Sequence, residues 1–346
     1  MNIRRFSLPA LALLGLALSP ATHAQSYQFT NFDGPVQTTA GATLVATTVN
    51  GISNSGVVVG FTSDNNGVLT NFSGTPGAPG ALTALNLSGT ANANAINTSR
   101  QVVGANGTQA FTLNSISSTN SPLPLPPVNG TTTSEVAFGI NDNGVIVGQY
   151  TDSNTGTTPG FVDVNGAFTT IAPAGAPSVS AQGINNNGLV TGFYAANGTA
   201  NESGFLFDTK TNIFTALPDP STAQTANGNL AFTQFLGIND MGEAVGYYQT
   251  TDTGSQFGFL FNTATKTYTF LDDPQAASVK GVRTTQITGI NNAGEIAGFF
   301  IGADGVQRGF VGAPVPEASS LVSLGVLLAL GVGGMAWKAR KRRALS

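Results

Sequence analysis

Over most of the chain, apolar positions come in short runs broken by glycine, asparagine and proline. Runs such as Val145-Ile146-Val147 and Phe168-Thr169-Thr170-Ile171 are β-branched or aromatic, and no long 3.6-residue periodicity interrupts them. That pattern predicts many short strands with turn residues between them. Two stretches depart from it, the apolar runs from Phe6 to Leu18 and from Ser319 to Trp337. The expectation is an all-β body between two apolar ends.

Within the body one phrase recurs. It reads Gly51-Ile52-Ser53-Asn54-Ser55-Gly56-Val57-Val58-Val59-Gly60, then a degenerate copy from Ala95 to Gly104 with Arg100 in it. Closer copies start at Gly139, Gly183, Gly237 and Gly289. Their isoleucines, at 52, 96, 140, 184, 238 and 290, lie 44, 44, 44, 54 and 52 residues apart. A period of 44 with two longer intervals indicates a repeat architecture with loop insertions.

Each unit reads as four strands. The first ends at Gly-Ile, and Asn-x-x-Gly turns the chain, because Asn bonds local backbone and Gly tolerates positive φ. The second is the apolar run, which continues into an aromatic pair in Phe193-Tyr194, Tyr247-Tyr248 and Phe299-Phe300. A third starts at Gly-Phe (Gly160-Phe161, Gly204-Phe205, Gly258-Phe259, Gly309-Phe310), and a fourth follows before a proline. Six such units predict a six-bladed β-propeller over residues 25–313, with an open β-solenoid as the competing architecture. The segment Tyr27 to Asp33 has a fourth-strand sequence and Gly309-Phe310-Val311 a third-strand one, so the first segment is expected to complete the last blade.

These units resemble the bacterial extracellular HAF-type repeat, in which Gly-Ile-Asn-Asp-x-Gly-x-Ile-Val-Gly precedes a His-Ala/Gly-Phe step. The histidine is absent here: Gln109, Pro159, Ser203, Phe257 and Arg308 stand before that step. The resemblance implies export and repetition rather than an activity.

The ends carry targeting signals. Arg4 and Arg5, the apolar run and the small residues up to Ala24 form a secretory signal over residues 1–24, with cleavage expected between Ala24 and Gln25. Pro314 to Ala318 precede the uncharged stretch 319–337, which at about 1.5 Å per residue reaches roughly 28 Å, near the roughly 30 Å hydrocarbon core. Lys338, Arg340, Lys341, Arg342 and Arg343 follow as a basic stop that keeps this end in the cytoplasm. Residues 314–346 resemble the PEP-CTERM sorting tail, whose label is sometimes that of an ice-binding protein C-terminal domain. Pro316 and Glu317 match its motif and Ala318 replaces the second proline. The resemblance implies processing by an inner-membrane exosortase and delivery to the cell surface or extracellular matrix.

Composition narrows the chemistry. The chain has no cysteine, and its one histidine, His23, lies in the secretory signal. Disulfides, thiolate or imidazole metal sites and nucleophile–histidine pairs are thereby excluded from the body. Residues 25–313 hold sixteen acidic and six basic side chains, ten net negative charges, which argues against nucleic-acid binding. Asp142 and Asp240 in the turns invite a calcium reading, but no copy has the alternating carboxylates of a calcium loop, and hairpin turns are expected instead. Asp219, Glu243, Asp252, Asp272 and Asp273 are the candidates for a glycosidase-type carboxylate pair in the propeller mouth. The expected protein is a non-enzymatic, envelope- or matrix-associated repeat protein without cofactor or metal, engaged in adhesion or exopolysaccharide association. A carbohydrate-active enzyme is the alternative.

Overall fold

The computed structural model describes residues 26–36, 41–77, 82–87, 90–114, 119–124, 132–196, 201–221 and 229–315. The signal segment, the cleavage point Ala24-Gln25, the motif Pro316-Glu317-Ala318, the apolar span and its basic stop lie outside these residues. Among the described residues all regular structure is strand, and no helix is long and apolar enough to cross a membrane.

Tyr27–Phe32 forms β1. The first repeat supplies β2 (Leu44–Ile52), β3 (Val58–Asp64), β4 (Leu69–Gly74) and β5 (Leu82–Ala84). The second supplies β6 (Asn92–Ile96), β7 (Gln101–Asn106), β8 (Gln109–Asn114) and β9 (Thr119–Pro122). The third holds β10 (Thr132–Ile140), β11 (Ile146–Asp152), β12 (Gly160–Val164) and β13 (Ala167–Ile171). The fourth holds β14 (Ser178–Ile184), β15 (Leu189–Ala195), β16 (Glu202–Asp208) and β17 (Ile213–Ala216). The fifth holds β18 (Leu230–Ile238), β19 (Glu243–Thr250), β20 (Gln256–Asn262) and β21 (Thr267–Leu271). The last repeat contributes β22 (Thr285–Ile290), β23 (Ile296–Ile301) and β24 (Gln307–Pro314).

The arrangement is that of a β-propeller, with one correction to its count. Four repeats, the second to the fifth, are separate four-stranded antiparallel sheets, rather than the six separate blades expected. The first and last repeats share one eight-stranded sheet, joined by a single parallel bridge between Ala46 and Gln307. Beside that bridge the Gln307 Nε2 donates to the Thr47 carbonyl at 3.2 Å and the Thr48 hydroxyl at 2.7 Å. The expected clasp is present: β1 pairs antiparallel with β24, Phe29 opposite Gly312, and the Phe29 ring meets that of Phe310 edge-on at 5.2 Å.

Apolar clusters sit between neighbouring sheets. Val57 and Val59 of the first repeat pack with Ile96, Val102 and Phe111 of the second. Val147 and Val162 of the third likewise meet Val179, Val190 and Phe205 of the fourth. The glycine closing each repeated phrase is explained by close approach. Gly148 lies opposite Phe161 across the ladder, and a Cβ there would come within 2.0 Å of the Val136 carbonyl oxygen and 2.7 Å of the Phe161 ring. The same glycine–phenylalanine pairing recurs at Gly60-Phe72, Gly104-Phe111, Gly192-Phe205, Gly246-Phe259 and Gly298-Phe310. The two motifs of the unit, Val-x-Gly and Gly-Phe, are thus two halves of one cross-strand contact.

Candidate functional site

The first strand of every repeat (β2, β6, β10, β14, β18, β22) touches its counterparts on either side, so the six enclose an axis. Each carries a β-bulge one residue before the Gly-Ile position or its counterpart, at 50, 94, 138, 182, 236 and 288. A bulge inserts an unpaired residue and re-aims its side chain. Here the bulged residues Asn50, Asn94, Phe138, Gln182, Leu236 and Thr288 all line a wide axial mouth of about 370 Å³.

Two further positions complete the mouth. Thr48, Asn92, Gln234 and Gln286 stand two residues before the bulge, and Phe61, Phe193, Tyr247 and Phe299 stand just after the phrase's closing glycine. Ladder register couples them, with Thr48 opposite Phe61, Gln234 opposite Tyr247 and Gln286 opposite Phe299. Each aromatic pair of the sequence therefore divides: Phe193, Tyr247 and Phe299 face the mouth, while Tyr248 and Phe300 enter the core.

The amides are held in place. Asn50 Nδ2 donates to the Ala93 carbonyl and Asn94 Nδ2 to that of Ala137, both at 2.9 Å. The Tyr247 hydroxyl donates to Gln234 Oε1 at 2.6 Å, and Gln234 Nε2 donates to Glu202. Burial, reinforced by the Glu202 charge, pushes the Tyr247 phenol up to about 12, so it stays a neutral donor. The Asn92 Oδ1 atom is buried and accepts no hydrogen bond.

Below the mouth the axis narrows. A space of about 70 Å³ lies between the bulge residues and a collar of Ile52, Ile96, Ile140, Ile184, Ile238 and Ile290. Beyond the collar another, of about 60 Å³, opens toward the turns. At roughly 30 Å³ per water, each has room for about two waters.

The turns at this end form hairpins, as the sequence predicts, and also something it did not announce. Asn141 Oδ1 accepts the backbone N–H of Val145 at 2.9 Å inside its own turn, while its Nδ2 donates to the Asn185 carbonyl in the next repeat at 3.0 Å. Side-chain amides link onward from Asn97 to Asn141 (3.2 Å), Asn185 to Asn239 (2.9 Å), Asn239 to Asn291 (3.2 Å) and Asn291 to Ser53 (3.4 Å). Ser53, which has no amide, leaves the step from the first to the second repeat unlinked in this series.

The next residue repeats the scheme. The Asp142 N–H donates to Asn186 Oδ1 at 2.9 Å, and the Asn186 N–H to Asp240 Oδ1 at 2.7 Å. Asp142 also accepts from Thr98 N and Oγ1, Asn54 Nδ2 and Asn186 Nδ2. Burial alone would raise its carboxyl, but these hydrogen bonds outweigh it and hold Asp142 below the usual carboxylate range. Asp142 and Asp240 are therefore acceptors in a ring of amides. Among the described residues no group of three or more acidic side chains gathers as a metal would require.

The five acids considered for catalysis do not line the mouth. Asp272 is paired with Arg283 at 2.5 Å. Asp273 is buried beside Asn31 and is held above its ordinary range chiefly by that burial. Glu243 accepts from Asn239 at 2.8 Å, Asp219 from Ser203 at 3.2 Å, and Asp252 from the Asn229 N–H at 3.4 Å. Only Asp272 and Asp273, adjacent in sequence, are brought together.

A family model described as "Protein of unknown function (DUF3466)" matches residues 112–301, more than half of the chain. The chain belongs to the DUF3466 family. The matched segment of this DUF3466 protein runs from the third strand of the second repeat into the last. No curated protein sequence matches it.

Solved structures similar to this DUF3466 chain include TolB from Acinetobacter baumannii, at 9% identity and a TM-score of 0.48 over 75% of this chain and 64% of that one. Another is an oligogalacturonate lyase from Vibrio parahaemolyticus, at 11% and 0.46 over 85% and 98%. A third is the Aleuria aurantia lectin in complex with Fucα1-6GlcNAc, at 15% and 0.44 over 82% and 98%. None of these likenesses bears on function.

Proposed function

We propose that this is an exported, envelope- or matrix-associated binding protein, not an enzyme, whose body takes extracellular polysaccharide in the wide axial mouth. In this reading each half of the eight-stranded sheet counts as one blade, giving a six-bladed ring over residues 25–313. The tail 314–346, through Pro316, Glu317 and Ala318, presents the chain to an exosortase-type enzyme in the inner membrane.

One observation carries the binding reading. The mouth is lined by aromatic rings and by side-chain amides and hydroxyls, with no carboxylate among its lining residues. Sugar rings present apolar C–H faces that stack on aromatic rings, and hydroxyls that both donate and accept, which is what Asn and Gln amides offer. Glycoside cleavage needs two carboxylates facing each other about 5–10 Å apart.

Cosedimentation of the purified protein with extracted matrix polysaccharide tests the reading. Binding without new reducing ends is expected. No cosedimentation would overturn the binding role, and new reducing ends would make the protein an enzyme. For the tail, Glu317→Ala is expected to leave unprocessed protein in the inner-membrane fraction, and unchanged fractionation would overturn the sorting role of that residue.

A further inference from the structure

Three features of the mouth restrict what enters it and how. The first is depth. Below the bulge residues the axis offers only about 70 Å³ before the isoleucine collar and about 60 Å³ after it. Water fits there but a sugar ring does not, so the mouth is a pit with one entrance. Its volume of about 370 Å³ lies at the small end of the roughly 300–1,000 Å³ range of ligand sites.

The second is the placement of its groups. Rings come from five consecutive repeats around the axis, as Phe138, Phe193, Tyr247, Phe299 and Phe61. The second repeat alone supplies no ring, and there Asn92 and Asn94 take the wall. The series of rings is thus closed by a short stretch of amides.

The third is charge. None of the fourteen lining residues is ionised. Among the described residues the only carboxylate bonded to them is Glu202, behind Gln234, and the body carries ten net negative charges. Anions are repelled at a distance and find no cation inside.

We infer that the mouth takes the end of a neutral glycan chain. The terminal pyranose inserts end-on, its apolar face on the rings and its hydroxyls on the Asn92–Asn94 wall. A chain lying across the opening would leave the pit unfilled. The inference rests on the saccharide-binding reading and adds to it the charge class of the ligand and the recognition of termini over chain interiors.

An array of oligosaccharides printed through their reducing ends, with neutral and with uronic or sialic termini, tests it on the full-length protein in mild detergent. Expected is binding to neutral termini only, with no gain in affinity beyond about three sugars. Phe193→Ala and Asn92→Leu should each weaken it at least about tenfold with an unchanged melting temperature. Tyr247→Phe, which keeps the ring, should weaken it less. Binding confined to acidic termini, affinity growing steadily with chain length, or full binding by Phe193→Ala would overturn the inference and leave saccharide binding standing. An array with no bound glycan would overturn both.

Discussion

Asn141 bonds two turns at once, capping its own through Oδ1 and reaching through Nδ2 to the Asn185 carbonyl of the next repeat, 3.0 Å away. Local folding of one repeat thereby fixes its neighbour, since the amide is aimed by the turn it caps. Asn141→Ala should destabilise the body by about 2–4 kcal/mol, the sum of lost hydrogen bonds and stranded buried partners. Asn143→Ala, at an exposed neighbouring position, should cost under about 1 kcal/mol. Urea unfolding of the two variants checks the contrast.

The same series has one open step, at Ser53. Its hydroxyl caps its own turn by accepting the Val57 N–H at 3.1 Å but is too short to reach the second repeat. Ser53→Asn should add the missing link and stabilise by about 0.5–1.5 kcal/mol, read as a raised melting temperature.

Arg100 occupies the turn position filled by glycine in the other five repeats, with φ at 60°. Side chains beyond glycine are strained in that region. Arg100→Gly should therefore stabilise by about 1 kcal/mol, and a lowered urea midpoint would refute the strain. This turn was readable in advance, because the repeats themselves show which residue departs from the frame.

Glu135 is fully buried on the inner strand of the third repeat, and neither carboxylate oxygen accepts a hydrogen bond. Burial, with a smaller push from Asp163, raises its carboxyl from 4.5 to about 7. The folded state therefore holds the proton more tightly than the unfolded chain. The sign follows: its contribution is fully present below about pH 4.5, declines as pH rises, and is lost above about pH 7. The decline amounts to about 3 kcal/mol. Glu135→Val, matching Val179 at the equivalent place in the fourth repeat, should flatten that part of the stability profile. Chemical denaturation at about pH 4.5 and about pH 8 measures it.

Gly148 leaves no room for a methyl group, which would meet the Val136 carbonyl at 2.0 Å. Gly148→Ala should cost at least about 3 kcal/mol through forced separation of β10 and β11, whereas Gly166→Ala, in an open turn, should cost less. Thermal melts of both variants separate packing from turn strain.

Strands, turns and the clasp were legible because they repeat: Gly-Ile-Asn and Gly-Phe recur at fixed spacing, and Phe29 and Phe310 belong to complementary strand types. The mouth was not. Alternation along a strand assigns each side chain a face by counting, and the bulge at Phe138 or Gln182 breaks that count. The available signal was the one varying position before an otherwise constant Gly-Ile: Asn50, Asn94, Phe138, Gln182, Leu236, Thr288. The division of Phe193 from Tyr194 was hidden for the same reason. The joining of two repeats into one sheet turns on a single parallel bridge, between Ala46 and Gln307, which no periodicity marks. The acids drew notice as rare residues, yet Asp272 and Asp142 have local partners that only the folded geometry supplies.

The clasp between β1 and β24 sets an order of events. The first strand of the body to leave the ribosome has no partner until almost the whole body has followed, since Phe29 waits for Gly312. Until then the last repeat lacks its outer strand, and the growing chain is an open arc of partly paired sheets. Truncation anywhere before Gln307 should thus yield a molecule that cannot seal itself, so a finished ring reports that translation ran to completion.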